Sequence, residues 1–295
     1  MKKETLQGIG CMLLSSLGFA LMSLLVRLAG DLPTGQKCFF RNLVAFLVAL
    51  VLFLRGKEKV HIDRHAAVDL FLRSAAGTIG IACNFYAVDH MLVADATMLN
   101  KLSPFFSILF SAALLKEKVR RMDLVFVLTA FAGSLLIIRP SFSMSVFPAL
   151  VGLTGGLMAG LAYTYVRKLG LRGVPGPFIV MVFSGFSCVA FLPSLLLSFR
   201  PMTARQTVYL LLTGVCAALA QFAITAAYTK APARDISSFG YSQVVFAALL
   251  GYLFLAQAVD VLSLCGYVVV IGSAVACGYY QKRHAERELR GGTGG

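Results

Sequence analysis

Charge is scarce in this sequence, and acid scarcest of all. Only 14% of the 295 residues are Asp, Glu, Lys or Arg while 58% are hydrophobic, a balance that excludes an ordinary soluble domain. The 13 acidic residues all fall outside the depths of the apolar runs, so the embedded carboxylate that a hydrophobic cation would call for is missing. There are four histidines, His61, His65, His90 and His284, placed in loops, at a helix end or in the tail. His61 and His65 have metal-ligand spacing but no third ligand in view, so neither a metal site nor a catalytic cluster is expected. The seven cysteines form no CxxC pair and lie in apolar runs, which leaves them as small buried hydrophobes with no disulfide or zinc framework. Gly155 and Gly156 sit inside an apolar run and cannot form a phosphate-cradling loop. A ring of like charges or a filter loop, the marks of a channel, is also missing. An intramembrane enzyme or a channel-like permease stands as the alternative to a carrier, without residues that argue for either.

What is there is hydrocarbon in membrane-sized lengths. Ten apolar runs, at 6–29, 33–54, 66–89, 92–115, 122–139, 147–168, 177–198, 205–229, 235–256 and 261–281, predict an all-α integral membrane protein of ten spans. Met1-Lys2-Lys3 ahead of the first run resembles a signal anchor, with no A-x-A-like cleavage site after it. Inner segments then carry Lys2 and Lys3, Arg55, Lys57, Lys59 and Arg64, and Lys116, Lys118, Arg120 and Arg121, followed by Arg167, Lys168 and Arg172, Lys230 and Arg234, and Lys282, Arg283, Arg287 and Arg290. Outer loops carry only Arg139, Arg200 and Arg205. That asymmetry predicts a multi-pass protein of the cell (plasma or inner) membrane with both termini in the cytoplasm. The net charge of +14 is thus an orientation signal, and no nucleic-acid partner is expected.

Polar cargo concentrates in one run, 94–117, which holds Asn100, Lys101, Ser103 and Pro104 in its first half. Pro104 should bend the helix and free the carbonyl of Asn100. A lysine in hydrocarbon costs about 2.5–3.5 kcal/mol, so Lys101 either pairs with a carbonyl or Asn100, snorkels, or faces a cavity and contacts the solute. On a helix Thr97, Lys101, Pro104 and Ile108 share one face, with Asn100, Ser103, Ser107 and Ser111 beside it. A shift of 140 residues lays Val26-Arg27 on Val166-Arg167, Asp95 on Asp235 and Glu117 on Gln257, which points to a repeat. With five helices per half, that repeat is inverted: residues 1–141, then 142–282, then a basic tail, 283–295, expected to be disordered. In the second half Ser237, Ser238, Tyr241, Ser242 and Tyr252 make the comparable stripe, and Asn84 and Gln221 add amides at mid-depth. Asp95 and Asp235 read as helix caps. Arg41 reads as a further solute contact or a snorkelling residue, and Arg27, Lys37 and Arg73 as interfacial. Gly152, Gly156 and Gly160 form a close-packing face.

The 94–117 run and the Phe39-Phe40-Arg41 helix resemble segments of the EamA family in the drug/metabolite transporter superfamily, and the likeness extends over roughly 7–139 and 149–281. The second copy departs from it, with Val244 at the position of Pro104 and Gln257 at that of Glu117. The resemblance implies a ten-helix carrier without ATP hydrolysis or cofactor, often an exporter of metabolites or amino-acid-like compounds. A cavity between the halves would be lined by Lys101, Asn100, Thr97, Pro104, Asn84, Arg41, Gln221, Tyr241 and Ser237. The expected partners are a small-molecule substrate (an amino acid, a related amphipathic compound or an organic anion) and lipid, around a monomer or homodimer.

Overall fold

The computed structural model describes residues 3–56, 60, 62–90, 99–138, 146–255 and 261–291. Every regular element among them is helical: α1 (Lys3–Leu28), α2 (Thr34–Arg55), α3 (Arg64–His90), α4 (Ser103–Leu115), α5 (Arg121–Ile138), α6 (Val146–Leu171), α7 (Gly176–Ser198) and α8 (Ala204–Lys230) come first. A ninth segment follows in three pieces, α9 (Ala233–Ile236), a 3₁₀ turn (Ser237–Tyr241) and α10 (Ser242–Leu255), and α11 (Val261–Gly291) is the tenth. Seven of the ten segments are long and apolar enough to cross a membrane as described, and Ser103–Leu115 and Leu264–Tyr280 are shorter apolar helices.

Local chemistry sets the boundaries. Pro33, Pro175 and Pro232 stand extended just before α2, α7 and α9, where a missing N–H costs nothing. Thr203 and Gln206 close a reciprocal capping box at the start of α8. Gly30 and Gly173 take positive φ at two of the turns.

The bundle is apolar on the outside and buries hydroxyls among its apolar core. Ser15, Ser16, Ser107, Thr164, Ser184, Ser187 and Ser237 are buried beside Ile108, Leu169 and Ile179, whereas Leu54, Val189, Leu197 and Val268 are exposed. Large apolar side chains on the outside fit hydrocarbon as the surrounding solvent. Packing follows a pseudo-two-fold: α1 lies on α8 as α3 lies on α6, and α4 on α6 as α10 on α1. The pairs α2 with α7 and α5 with α11 map onto themselves under the same exchange. Segments one to five thus match six to ten, and the odd number per half makes matched segments antiparallel.

Three expectations need correction. Pro104 does not bend a continuous helix: Lys101 and Leu102 form a turn, and Pro104 lies in the first turn of α4, the place that tolerates proline. The stretch 283–295 was expected to be disordered, yet α11 runs as helix to Gly291. Its end, AERELR, is built of strong helix formers. Tyr252 is 55% exposed on α10 and leaves the polar stripe, because eleven residues separate it from Tyr241 across the break in the ninth segment.

Candidate functional site

The fourth and ninth segments break at matched positions, and the breaks face each other. Lys101 corresponds to Tyr241 under the 140-residue shift, and the Tyr241 hydroxyl donates to the Lys101 carbonyl at 2.9 Å. Pro104 excludes an N–H from the helix ladder just below that carbonyl. The ninth segment achieves its break with a 3₁₀ turn and Gly240 in place of a proline. Discontinuous helices of this kind leave backbone groups for side chains or solutes to satisfy.

Around the breaks lies a cavity of about 50 Å³. Met12, Ser15, Ser16 and Phe19 of α1 form one wall, Asn100, Lys101, Ser103 and Pro104 another, and Tyr163, Ile224, Tyr228, Ser237, Gly240 and Gln243 close it. This is far below the ~300–1,000 Å³ of ordinary ligand pockets, so a metabolite enters only if the halves part. A separate hollow of about 90 Å³ between α4 and α5, lined by Leu102, Phe105, Val127, Leu128, Phe131 and Tyr241, is apolar and offers nothing to orient a polar solute.

Lys101 supplies the cavity's charge. It is 8% exposed, and Nζ donates to Oε1 of Gln243 at 2.7 Å. Among the described residues no carboxylate lies within ion-pair reach of it. Beneath the cation is a knot of hydroxyls. Ser107 donates to the Pro104 carbonyl at 3.1 Å and sits 3.2 Å from the Tyr228 hydroxyl and 3.4 Å from Ser237 Oγ. Tyr228 stacks on Tyr163 with centroids 4.9 Å apart.

The floor is sealed at the end of the bundle where α1 begins and α11 finishes. Glu117 pairs with Arg167 at 3.0 Å, Arg120 with Asp235 at 3.1 Å, and Asp69 with Lys168 at 2.8 Å. Arg172 approaches Asp69 at 3.3 Å, an ion-pair distance without hydrogen-bond geometry. Arg234 donates to the carbonyl of Lys118. Every one of these contacts joins residues on opposite sides of position 142. Asp235, expected as a cap, spends its carboxylate on Arg120 and Arg234 in this seal.

Of the predicted contacts, the fold brings Lys101, Asn100, Pro104 and Ser237 to the cavity, and Tyr241 supports it from behind. Thr97 and Asp95 lie outside the described residues. Gln221 occupies the same face of α8 as Ile224 and Tyr228, one turn further on, with its Nε2 buried and unpartnered. Asn84 sits where α3 passes Gly155 of α6, away from the lining. Arg41 is buried on α2 with Nε 3.3 Å from Met22 Sδ. Sequence reading missed Gln243, which the repeat places opposite Ser103, and missed Tyr163 and Tyr228, whose rings do not stand out in apolar runs. It also misplaced Arg73, which is not interfacial but 1% exposed inside the bundle.

Comparison with known proteins agrees with the two-halved helical fold. The model of the EamA-like transporter family matches twice, at residues 6–139 and 146–278, and the chain belongs to that family. It is a multi-pass membrane transporter of small metabolites. It is 32% identical over 272 residues to the pseudopaline exporter CntI of Pseudomonas aeruginosa, covering 91% of this chain and 95% of that one. A riboflavin transporter of Brucella anthropi is 26% identical over 250 residues, 83% of this chain and 87% of its own. A solved crystal structure superposes with a TM-score of 0.79 over 93% of this chain and 96% of its own, at 18% identity, a likeness of fold.

Proposed function

We propose that this protein exports a small anionic metabolite by alternating access, with Lys101 binding the solute's carboxylate or phosphate. The carrying observation is that Lys101 is buried at the cavity between the two broken segments and that, among the described residues, its side-chain partner is a neutral amide, Gln243. A buried cation without a counter-charge is costly, and an anionic solute offsets that cost each time it binds. Asn100, Pro104 and Ser237 shape the remaining wall. The moving bodies are the repeats 1–141 and 142–282, in the cell (plasma or inner) membrane with both termini cytoplasmic, as monomer or homodimer.

Export as the direction is supported by the likeness to the pseudopaline exporter. The likeness to a riboflavin transporter leaves the cargo to be read from the cavity. The test is uptake of radiolabelled anionic, zwitterionic and cationic metabolites into proteoliposomes containing the purified chain. Saturable uptake of anions supports the proposal. Saturable uptake of cations alone, or turnover of a solute into a product, would replace it.

A further inference from the structure

We infer that Gln243 is a direct solute contact, its amide and the Lys101 ammonium clamping the two oxygens of one carboxylate. The clamp rests on Lys101 binding the anion, as proposed above, and narrows that anion from a carboxylate or phosphate to a carboxylate of single charge.

The amide's orientation follows from its partner. An ammonium has three donors and no acceptor, so only Oε1 of Gln243 can face Lys101 Nζ, as it does at 2.7 Å. Nε2, on the same planar group, is the atom left for another partner. Among the described residues nothing accepts from Nε2, and protein does not enclose it. Lys101 and Gln243 both line the cavity. Its wall therefore holds two neighbouring donor groups, joined through Oε1, each with N–H groups to spare.

The backbone favours an anion at the same place. Gln243 is the second residue of α10, and Ser103, its counterpart in the repeat, opens α4. The cavity is lined by Ser103 and Pro104 at one helix start and by Gly240 and Gln243 at the other. The positive ends of two helix dipoles thus meet there, one from each repeat.

Charge decides which anion. Of the residues that line the cavity, Lys101 alone is charged. A carboxylate balances it one for one, whereas a phosphate monoester brings about −1.5 to −2 and leaves negative charge uncompensated away from water, which is costly. A carboxylate also presents two oxygens side by side to the two donors, where a spherical anion makes a single contact.

The probes are sodium acetate, sodium chloride and disodium methyl phosphate. Thermal unfolding of the full chain in detergent is followed against the concentration of each, with Lys101→Met in parallel to carry the effect of salt itself. The concentration that gives a set rise in melting temperature above that control tracks the affinity. In the parent, acetate should act at roughly tenfold lower concentration than chloride, the worth of one further charge-assisted hydrogen bond. Methyl phosphate should need a higher concentration than acetate. Gln243→Leu should bring acetate and chloride together; both meet the same ammonium, so its altered surroundings cancel in the ratio. Gln243→Met, which fills similar space without an N–H, serves the same purpose if the Leu variant does not fold. Gln243→Glu keeps an oxygen on Lys101 but puts an acceptor where Nε2 stands. It should lose the response to all three salts and melt no lower than the parent.

A tenfold ratio that persists without the amide would overturn the clamp and leave Gln243 a structural partner of Lys101. Methyl phosphate acting at or below the acetate concentration would overturn the choice of a carboxylate. If no salt lifts the parent above Lys101→Met, then Lys101 does not bind the anion, and the proposed function falls together with the clamp.

Discussion

Lys101 is legible in the sequence because a charge in an apolar run must be explained, and its partner is not, because an amide looks like any polar residue. Gln243 is that partner at 2.7 Å, contributed by a segment 142 positions away. Gln243→Leu leaves a buried ammonium without its acceptor and should destabilise the unliganded protein by about 1–3 kcal/mol, read as a lower melting temperature in detergent. An unchanged melting temperature would mean that water serves Lys101 as well as Gln243 does. Arg73 shows the opposite failure. Its depth is counted from a run boundary uncertain by several residues, and a shift of one turn moves an arginine from interface to interior.

At the scale of elements, the ten segments follow from apolar length and turn chemistry, while the breaks follow from tertiary packing. A proline announces the break before α4, but the matching break at Ser237–Tyr241 has only Gly240 and small hydroxyl residues to mark it. The glycines of α6 explain how the fourth segment is held. A Cβ at Gly160 would lie 2.7 Å from Phe106 Cβ and 2.9 Å from both Ser103 O and Ser107 N, and one at Gly152 would lie 2.8 Å from Leu99 Cδ1. The four-residue glycine spacing is thus the face that admits the broken backbone. Gly160→Leu should cost about 1–3 kcal/mol by overpacking and displace the Ser107 knot. Gly10, with nothing within 4 Å of its Cβ position, is the control: Gly10→Ala should leave the melting temperature level or raise it by replacing a helical glycine. Equal losses at both positions would contradict the packing argument.

On the scale of the whole molecule, two five-segment halves meet at a small charged cavity, and the ion pairs between them close the end where α1 begins and α11 finishes. Glu117, Arg120 and Asp69 of one half grip Arg167, Asp235 and Lys168 of the other, so opening toward that end must break these pairs. The sequence shows the repeat only as sparse identities; the paired contacts, α1 on α8 and α3 on α6, carry the symmetry in space. In a cysteine-free background, a cysteine at Lys118 should react only with reagent in the cytoplasm and one at Asp31 only with reagent outside. Labelling from the wrong side would reverse the orientation. The most direct test of the account is the transport rate of an anionic solute in proteoliposomes containing the parent, Lys101→Met or Lys101→Arg at equal protein content. The account predicts a loss of at least about tenfold for Met, the worth of one buried charge-assisted contact, with part of the rate kept by Arg. Equal rates for the parent and Lys101→Met would contradict it.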